Sequence, residues 1–340
     1  MDERALRIGV ASLVERPMNE LAEQAKRLES LGYDQIWVPD ERLLRNVYLA
    51  LATIATATTR IGLAPGVTNP YTRHPAVTAA AIASIDELSG GRASLGLGAG
   101  GGLDALGIDR AHPVQALRET AAIVRALTAG GRVESTGPMF PMSAGLNFTP
   151  IRRVPVYLAA RGPRILRLAG EVADGVVIGG FARPSGLGYA RDQVAQGLEQ
   201  SGRSWSDLDV VSWLYVSVDD DVDKARTAVA KIVLASLITS RPILDKLGIE
   251  LPGQLRDHLE RTGWTYPQLE PRAAADLLTD ELLDNFSVYG TPADCVRRMT
   301  EIRGCGIDHL TFVLFAPEGS TVDDVAGRLA VEVVPQLRAG

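Results

Sequence analysis

Two carboxylates, Asp40 and Glu41, close the apolar run "QIWVPD", and four further loops follow apolar runs in a similar way. These are "GVTN" from Gly66, "GAGGG" from Gly98 to Gly102, "ARGP" from Ala160 to Pro163, and "GGFARP" from Gly179 to Pro184. Glycine lets backbone N–H groups approach a ligand closely, and a helix beginning just behind it favours a phosphate. Pro163 suits a first helical turn, so "RGPRILRLAG" presents free N–H groups at a helix start. The competing reading is that every one of these glycines only turns the chain.

Other chemistries find no matching pattern. The four histidines, His74, His112, His258 and His309, form neither H-x-H nor H-E-x-x-H. His74 and His112 each precede proline near an expected helix start, which is a structural position. There is no G-x-S-x-G nucleophile elbow. "GLGAGGG" echoes a dinucleotide fingerprint but lacks its spacing and its acidic partner. Cys295 and Cys305 make no metal-ligand pair.

The elements that would position these loops alternate regularly. Strand candidates run over Arg7–Leu13, Gln35–Asp40, Arg60–Val67, Ala93–Gly100, Val154–Ala160, Gly175–Gly180, Val210–Val218 and His309–Phe315. Several are nearly continuous apolar runs, as expected for parallel strands buried on both faces. The segments between them carry helical periodicity, as in "MNELAEQAKRLESLG" with Leu21, Ala25, Leu28 and Leu31 on one face. "LGYDQIWV" and "CGIDHLTFV" repeat a helix-ending glycine followed by a strand. Eight such units predict an α/β fold, a (β/α)8 TIM barrel, as a single domain over 1–340, with a doubly wound open sheet as the alternative. Two insertions interrupt it, a hairpin or extended loop at about 132–150 and a longer one at about 239–280, between strands 7 and 8. In a barrel the loops named above converge at the C-terminal ends of the strands.

The chain has 340 residues, 46% of them hydrophobic, and a net charge of −6, which gives a nucleic-acid partner no general electrostatic footprint. The start "MDERALRIGV" is no signal peptide, and no apolar stretch is long enough for a bilayer. A cytoplasmic protein without a membrane partner is expected.

The stretch from Arg45 to Gly101, "RNVYLALATIATATTRIGLAPGVTNPYTRHPAVTAAAIASIDELSGGRASLGLGAGG", resembles the luciferase-like flavin and deazaflavin oxidoreductases. It is most similar to their coenzyme F420-dependent methylene-tetrahydromethanopterin reductase branch. "AARGPRILRLAGEVADGVVIGG" and "YGTPADCVRRMTEIRGCGIDHLTF" carry the same likeness. The resemblance implies a non-proline cis peptide at Gly66-Val67, whose bulge supports the central ring of the cofactor. It places Asp40 near the pyrimidine part of that ring, with Thr68, Gly98, Ala99 and Gly100 lining it. Ala160, Arg161, Gly162, Pro163, Gly179 and Gly180 would cradle the phosphate. The implied activity is hydride transfer between F420 and a small organic substrate, in a homodimer.

Relatives often carry histidine where this chain has Glu41. A carboxyl buried beside Asp40 would serve as a proton donor near neutrality; a solvated one, or one paired with Arg42 or Arg45, would not. Asn69 and Tyr71 are expected to face the substrate. Trp264 and Tyr266 either cover it as a lid or pack the second insertion down. Three other functions stay open on the residues: an FMN-dependent two-component monooxygenase, a non-catalytic flavin-binding relative, and a metal-free hydrolase using Asp40 and Glu41.

Overall fold

The computed structural model describes residues 5–11, 16–41, 43–265 and 268–339. Its parallel strands are β1 (Arg7–Ala11), β2 (Gln35–Val38), β3 (Gly62–Pro65), β4 (Leu95–Leu97), β7 (Val156–Ala160), β8 (Gly175–Gly179), β9 (Asp209–Val218), β10 (Ser287–Gly290) and β11 (His309–Leu314). Two antiparallel strands, β5 (Arg132–Ser135) and β6 (Met142–Gly145), form a separate hairpin, which accounts for the first insertion. The sheet order is β3-β2-β1-β11-β9-β8-β7-β4, with β10 beside β9. Bridges Leu63↔Ala93 and Thr68↔Leu97 join β3 to β4, so the eight-stranded path is a (β/α)8 barrel. Every residue of β2 and of β11 is buried, the polar Gln35, His309 and Thr311 among them, as parallel strands covered on both faces require.

The helix-to-strand turns follow the expected chemistry. The helix Met18–Ser30 buries Leu21, Ala25 and Leu28 on one face and gives way at Gly32, with φ of 84°. The helix Pro292–Arg303 gives way at Gly306, with φ of 75°. Glycine occupies this left-handed region without the clash a Cβ would bring.

Contacts divide the chain into two compact units. The larger comprises Gly9–Val177 and Gln193–Val210 and holds β2 to β7. Its strand starts are tied by polar side chains. Glu29 accepts hydrogen bonds from the N–H groups of Thr59, Arg60 and Ile61, fixing the entry to β3. Burial raises the Glu29 pKa, but these bonds and the Thr59 hydroxyl outweigh it and bring it down to about 2. A carboxylate depressed in the folded state stabilises fully above its unfolded pKa of about 4.3. That contribution is lost as pH falls from there through about 2. Because Glu29 is partly solvated, the loss is on the order of 1 kcal/mol. Acid unfolding of Glu29→Gln should lack this component, and an unchanged acid limb would contradict it.

The other unit contains Ile178–Asp192 and Val211–Gly340 with the start of the chain. Its long insertion folds into the helices Gly253–Arg261, Pro271–Leu277 and Asp280–Phe286, ahead of β10. Arg226, on the helix Val222–Ser240, donates to the carbonyls of Ala275 and Leu278 and binds the insertion down. The Arg241 guanidinium lies 4.4 Å from the Trp264 ring centroid, so Trp264 is packed within this segment. Tyr266 falls outside the described residues. No described helix is long and apolar enough to cross a membrane.

Candidate functional site

The end of β3 departs from a regular ladder. From the Leu63 bridge to the Thr68 bridge the chain advances five residues, while its partner advances four, Ala93 to Leu97. The extra residue is a β-bulge, centred on Gly66 and Val67. The Gly66-Val67 peptide is cis, as the resemblance implies. Gly66 donates to the Val38 carbonyl at 2.7 Å, and Thr68 to that of Gly96 at 3.0 Å, so the bulge is anchored on both sides. Both bulge residues remain partly exposed.

Gly96 in β4 and Gly98 just after it answer to this bulge. A Cβ on Gly96 would stand 2.3 Å from the Pro65 carbonyl oxygen, and one on Gly98 would stand 2.6 Å from Val67 Cγ2. Gly98 is buried and donates its N–H to the Thr68 carbonyl, so it provides room for Val67 and no free donor to a ligand. Ala99 and Gly100 lie just beyond β4 and are half-buried.

Asp40, two residues beyond β2, is the polar focus. Its Oδ2 accepts from the Thr68 hydroxyl at 2.6 Å and from Arg73 Nη1, and its Oδ1 accepts from Arg73 Nη2 at 3.3 Å. Thr68 is fully buried. The Arg73 guanidinium carbon lies 5.2 Å from the Tyr48 ring centroid, within cation–π range. Burial pushes the Tyr48 phenol up to about 12, Arg73 opposing and Asp40 reinforcing the shift, so Tyr48 stays neutral.

Beside this cluster lies a cavity of about 500 Å³. Asp40, Glu41, Asn69 and Arg73 line its polar side; Leu43, Leu44, Leu103 and Leu106 line its apolar side. Glu41 faces Gly101, where an added Cβ would stand 3.3 Å from Glu41 Oε2. Such a cavity suits a ligand with an apolar body and a few polar edge atoms.

Asn69 reaches the cavity, but its Oδ1 accepts from the N–H groups of Tyr71 and Thr72, leaving the other half of its amide for a ligand. Tyr71 does not line the cavity; its hydroxyl donates to the Ala111 carbonyl at 3.0 Å, which accounts for its placement. Beyond β7, Gly162 precedes the helix Pro163–Val172 with extended backbone, and no side chain caps that helix. Nothing lies within 4 Å of where a Gly162 Cβ would stand. Ala160, Arg161, Gly162 and Pro163 are all half-buried, and register Leu97↔Leu158 puts them at the same strand ends as Gly98. In the other unit Gly179 ends β8, and Gly180 donates its N–H to the Trp213 carbonyl at 2.8 Å. That donor is therefore engaged within the protein, contrary to the phosphate role expected for Gly180.

Arg73 and the leucine wall are absent from the sequence expectations. The only hint is a lone basic residue in "YTRHP", immediately before His74, whose ring nitrogen caps the helix Pro75–Leu88. Among the described residues no cluster of histidine, cysteine or carboxylates is arranged for a metal ion.

A family model described as luciferase-like monooxygenase matches residues 5–309. The 5,10-methylenetetrahydromethanopterin reductase of Archaeoglobus fulgidus is 35% identical, over 98% of this chain and 100% of its own length. The F420-dependent glucose-6-phosphate dehydrogenase of Beutenbergia cavernae is 30% identical over 85% of this chain and 82% of its own. The solved coenzyme F420-dependent tetrahydromethanopterin reductase of Methanopyrus kandleri superposes with a TM-score of 0.86 at 28% identity, covering 98% of this chain and 100% of that one. With the bulge, the carboxylate cluster and the barrel in place, a match over nearly the whole length decides the family: this chain belongs to the luciferase-like monooxygenase family.

Proposed function

We propose that this chain is a coenzyme F420-dependent oxidoreductase that moves hydride between the cofactor and a small organic substrate. The observation that carries the reading is the partly exposed apolar bulge, Gly66-Val67, joined through the Thr68 hydroxyl to Asp40, the fixed carboxylate on the cavity wall. These residues fit a deazaflavin. Val67 offers an apolar surface to a planar ring, and Asp40 offers an acceptor to ring N–H groups. The uncapped helix start at Pro163, with open space beside Gly162, offers donors to a phosphate. Ala160 and Arg161 flank that start. When bound, F420 supplies a two-electron hydride carrier.

The chain's own residues then bind, orient and exclude water. Thr68 and Arg73 fix the Asp40 carboxylate, and the leucine wall keeps one side of the cavity apolar. Glu41, at the cavity edge facing Gly101, is the group we assign to proton exchange with the substrate. Asn69, with its free amide half, is assigned to the substrate. Relatives 35% identical over nearly the full length are named for a methylenetetrahydropterin, so a one-carbon-bearing tetrahydropterin is the first substrate to test. The reading takes the working form as a cytoplasmic protein of one barrel domain over 1–340, from its composition and the order of its elements, and as a homodimer, which rests on the resemblance.

Anaerobic mixing of the protein with reduced F420 and such a substrate should return the visible absorbance of oxidised F420. Turnover that requires FMN and oxygen instead would replace this reading with a monooxygenase.

A further inference from the structure

We propose that Tyr71 and Arg110 are positioning residues of this site: they clasp the loop from Gly100 to Ala111 to the segment after β3, and so hold one apolar wall of the cavity beside the substrate. The loop supplies Gly101, Gly102, Leu103, Ala105 and Leu106 to the cavity lining. Inside it the chain makes a tight turn of its own. The N–H groups of Leu106 and Ile108 both donate to the Leu103 carbonyl at 3.0 Å, around the short helix Asp104–Leu106. Left-handed glycines stand on either side of that turn, Gly102 and Gly107, each with φ of 66°. Glycine takes this conformation without a Cβ clash and leaves the backbone free to pivot. Residues 101–110 are exposed apart from half-buried Ile108 and from Leu103, which is 3% exposed. A loop that buries so little apolar surface depends on its polar ties for its place.

Two such ties close its foot. Arg110 Nη1 donates to the Gly100 carbonyl at 3.2 Å and joins the two ends, as in a compact Ω-loop. The Tyr71 hydroxyl donates to the Ala111 carbonyl at 3.0 Å and fastens the far end. Burial pushes the Tyr71 phenol up, with Arg110 opposing and Asp109 reinforcing the shift, so the hydroxyl keeps the proton it donates. Tyr71 is itself fixed, since its N–H donates to Asn69 Oδ1 at 2.9 Å, and Asn69 is a buried residue of the cavity lining. Asn69 also meets the near end of the loop. Where a Gly100 Cβ would stand, Leu103 Cδ1 lies 2.6 Å away and Asn69 Cβ 3.3 Å. One connected unit thus runs from the amide assigned to the substrate, through Tyr71, to the loop that carries Leu103 and Leu106. The bulge reaches Asp40 through the Thr68 hydroxyl, a bond in which neither Tyr71 nor Arg110 takes part. The clasp therefore governs affinity for the substrate and not for the cofactor.

The first arm of the test reads the wall itself and needs no ligand. In protein labelled at the leucine methyls, Leu103→Ile and Leu106→Ile identify the two signals. Tyr71→Phe, which removes one oxygen, should shift and broaden both while those of Leu21 and Leu158 stay in place. Arg110→Met should do the same and serves if the phenylalanine variant does not fold. Arg110→Lys, which keeps a charged donor, should return most of the parent spectrum. Unchanged Leu103 and Leu106 signals in both variants, or equal changes at Leu21 and Leu158, would overturn the proposal. The second arm rests on the F420 reading, with reduced F420 and 5,10-methylenetetrahydromethanopterin as the probe. Tyr71→Phe should raise KM for the probe about threefold to tenfold, the size of one net hydrogen bond, with kcat and F420 affinity unchanged. A loss confined to kcat or to F420 affinity would overturn the clasp as a substrate device. Failure of the parent to turn over this probe would count against the functional reading and leave the methyl signals to decide the role of Tyr71 and Arg110.

Discussion

Gly98→Ala is expected to destabilise the protein by about 1–3 kcal/mol, and Val67→Ala in the same chain to recover most of that loss. The added methyl would meet Val67 Cγ2 at 2.6 Å, and a β-branched side chain has little freedom to turn away. Removing the valine methyls removes the obstacle. Gly96→Ala gives the contrasting case. Its methyl would stand 2.3 Å from the Pro65 carbonyl oxygen, which is backbone, and 3.0 Å from Val67 Cγ1, so Val67→Ala relieves only the lesser of the two contacts. A loss of about 3 kcal/mol or more is expected there, because the strand itself must move. A double-mutant cycle in urea separates the two, with a large coupling at 98 and a small one at 96. Equal coupling at both positions would show that the bulge is not what dictates glycine in β4.

The second large effect lies at the other end of the same strands. Arg92 donates to the carbonyls of Ser89, Ile61, Ala55 and Thr58 and to the Thr58 hydroxyl, knitting the starts of β3 and β4 to the preceding helix. Burial lowers the Arg92 pKa, with Glu29 opposing, yet an arginine stays charged. Arg92→Met would leave several carbonyls without a donor, at about 1–3 kcal/mol for each that water does not reach. A total loss of about 3–5 kcal/mol is expected from denaturation, with F420 affinity unchanged in the folded protein. Conserved stability with altered affinity would contradict the separation of a structural end from a ligand-binding end.

How much of this was legible in the residues depends on the range of the interaction. The eight barrel strands and their order follow from apolar runs and from glycine stops such as Gly32 and Gly306, which are local signals. Some strands end earlier than their apolar runs predict. β2 stops at Val38, not Asp40, and β4 spans Leu95–Leu97 within the expected Ala93–Gly100. At the C-terminal ends the trimmed residues, Pro39 and Asp40 after β2 and Gly98 to Gly100 after β4, are those that leave the ladder to build the site, and their composition looks the same on either side of that exit. β10 leaves no signal in the sequence because four residues, "SVYG", are too few to show a period before the Thr291 cap and Pro292 start the next helix.

At the site, the bulge was expected from the family resemblance, whereas the reason for Gly96 and Gly98 lies in a neighbouring strand. Glycine there reads as ligand approach when only its own loop is visible. The hydrogen bonds of the Tyr71 hydroxyl and the Gly180 N–H are hidden from the sequence for the same reason: their partners, Ala111 and Trp213, are distant along the chain. Arg73 is the converse, a residue whose role exists only once β2 and β3 bring it to Asp40.

The central claim is tested most directly by competitive binding. The protein is titrated with F420 and with FMN, oxidised and reduced, under anaerobic conditions, following intrinsic tryptophan fluorescence. Tighter binding of F420 than of FMN in both redox states is the result predicted. Preference for reduced FMN, or binding of neither, would contradict it.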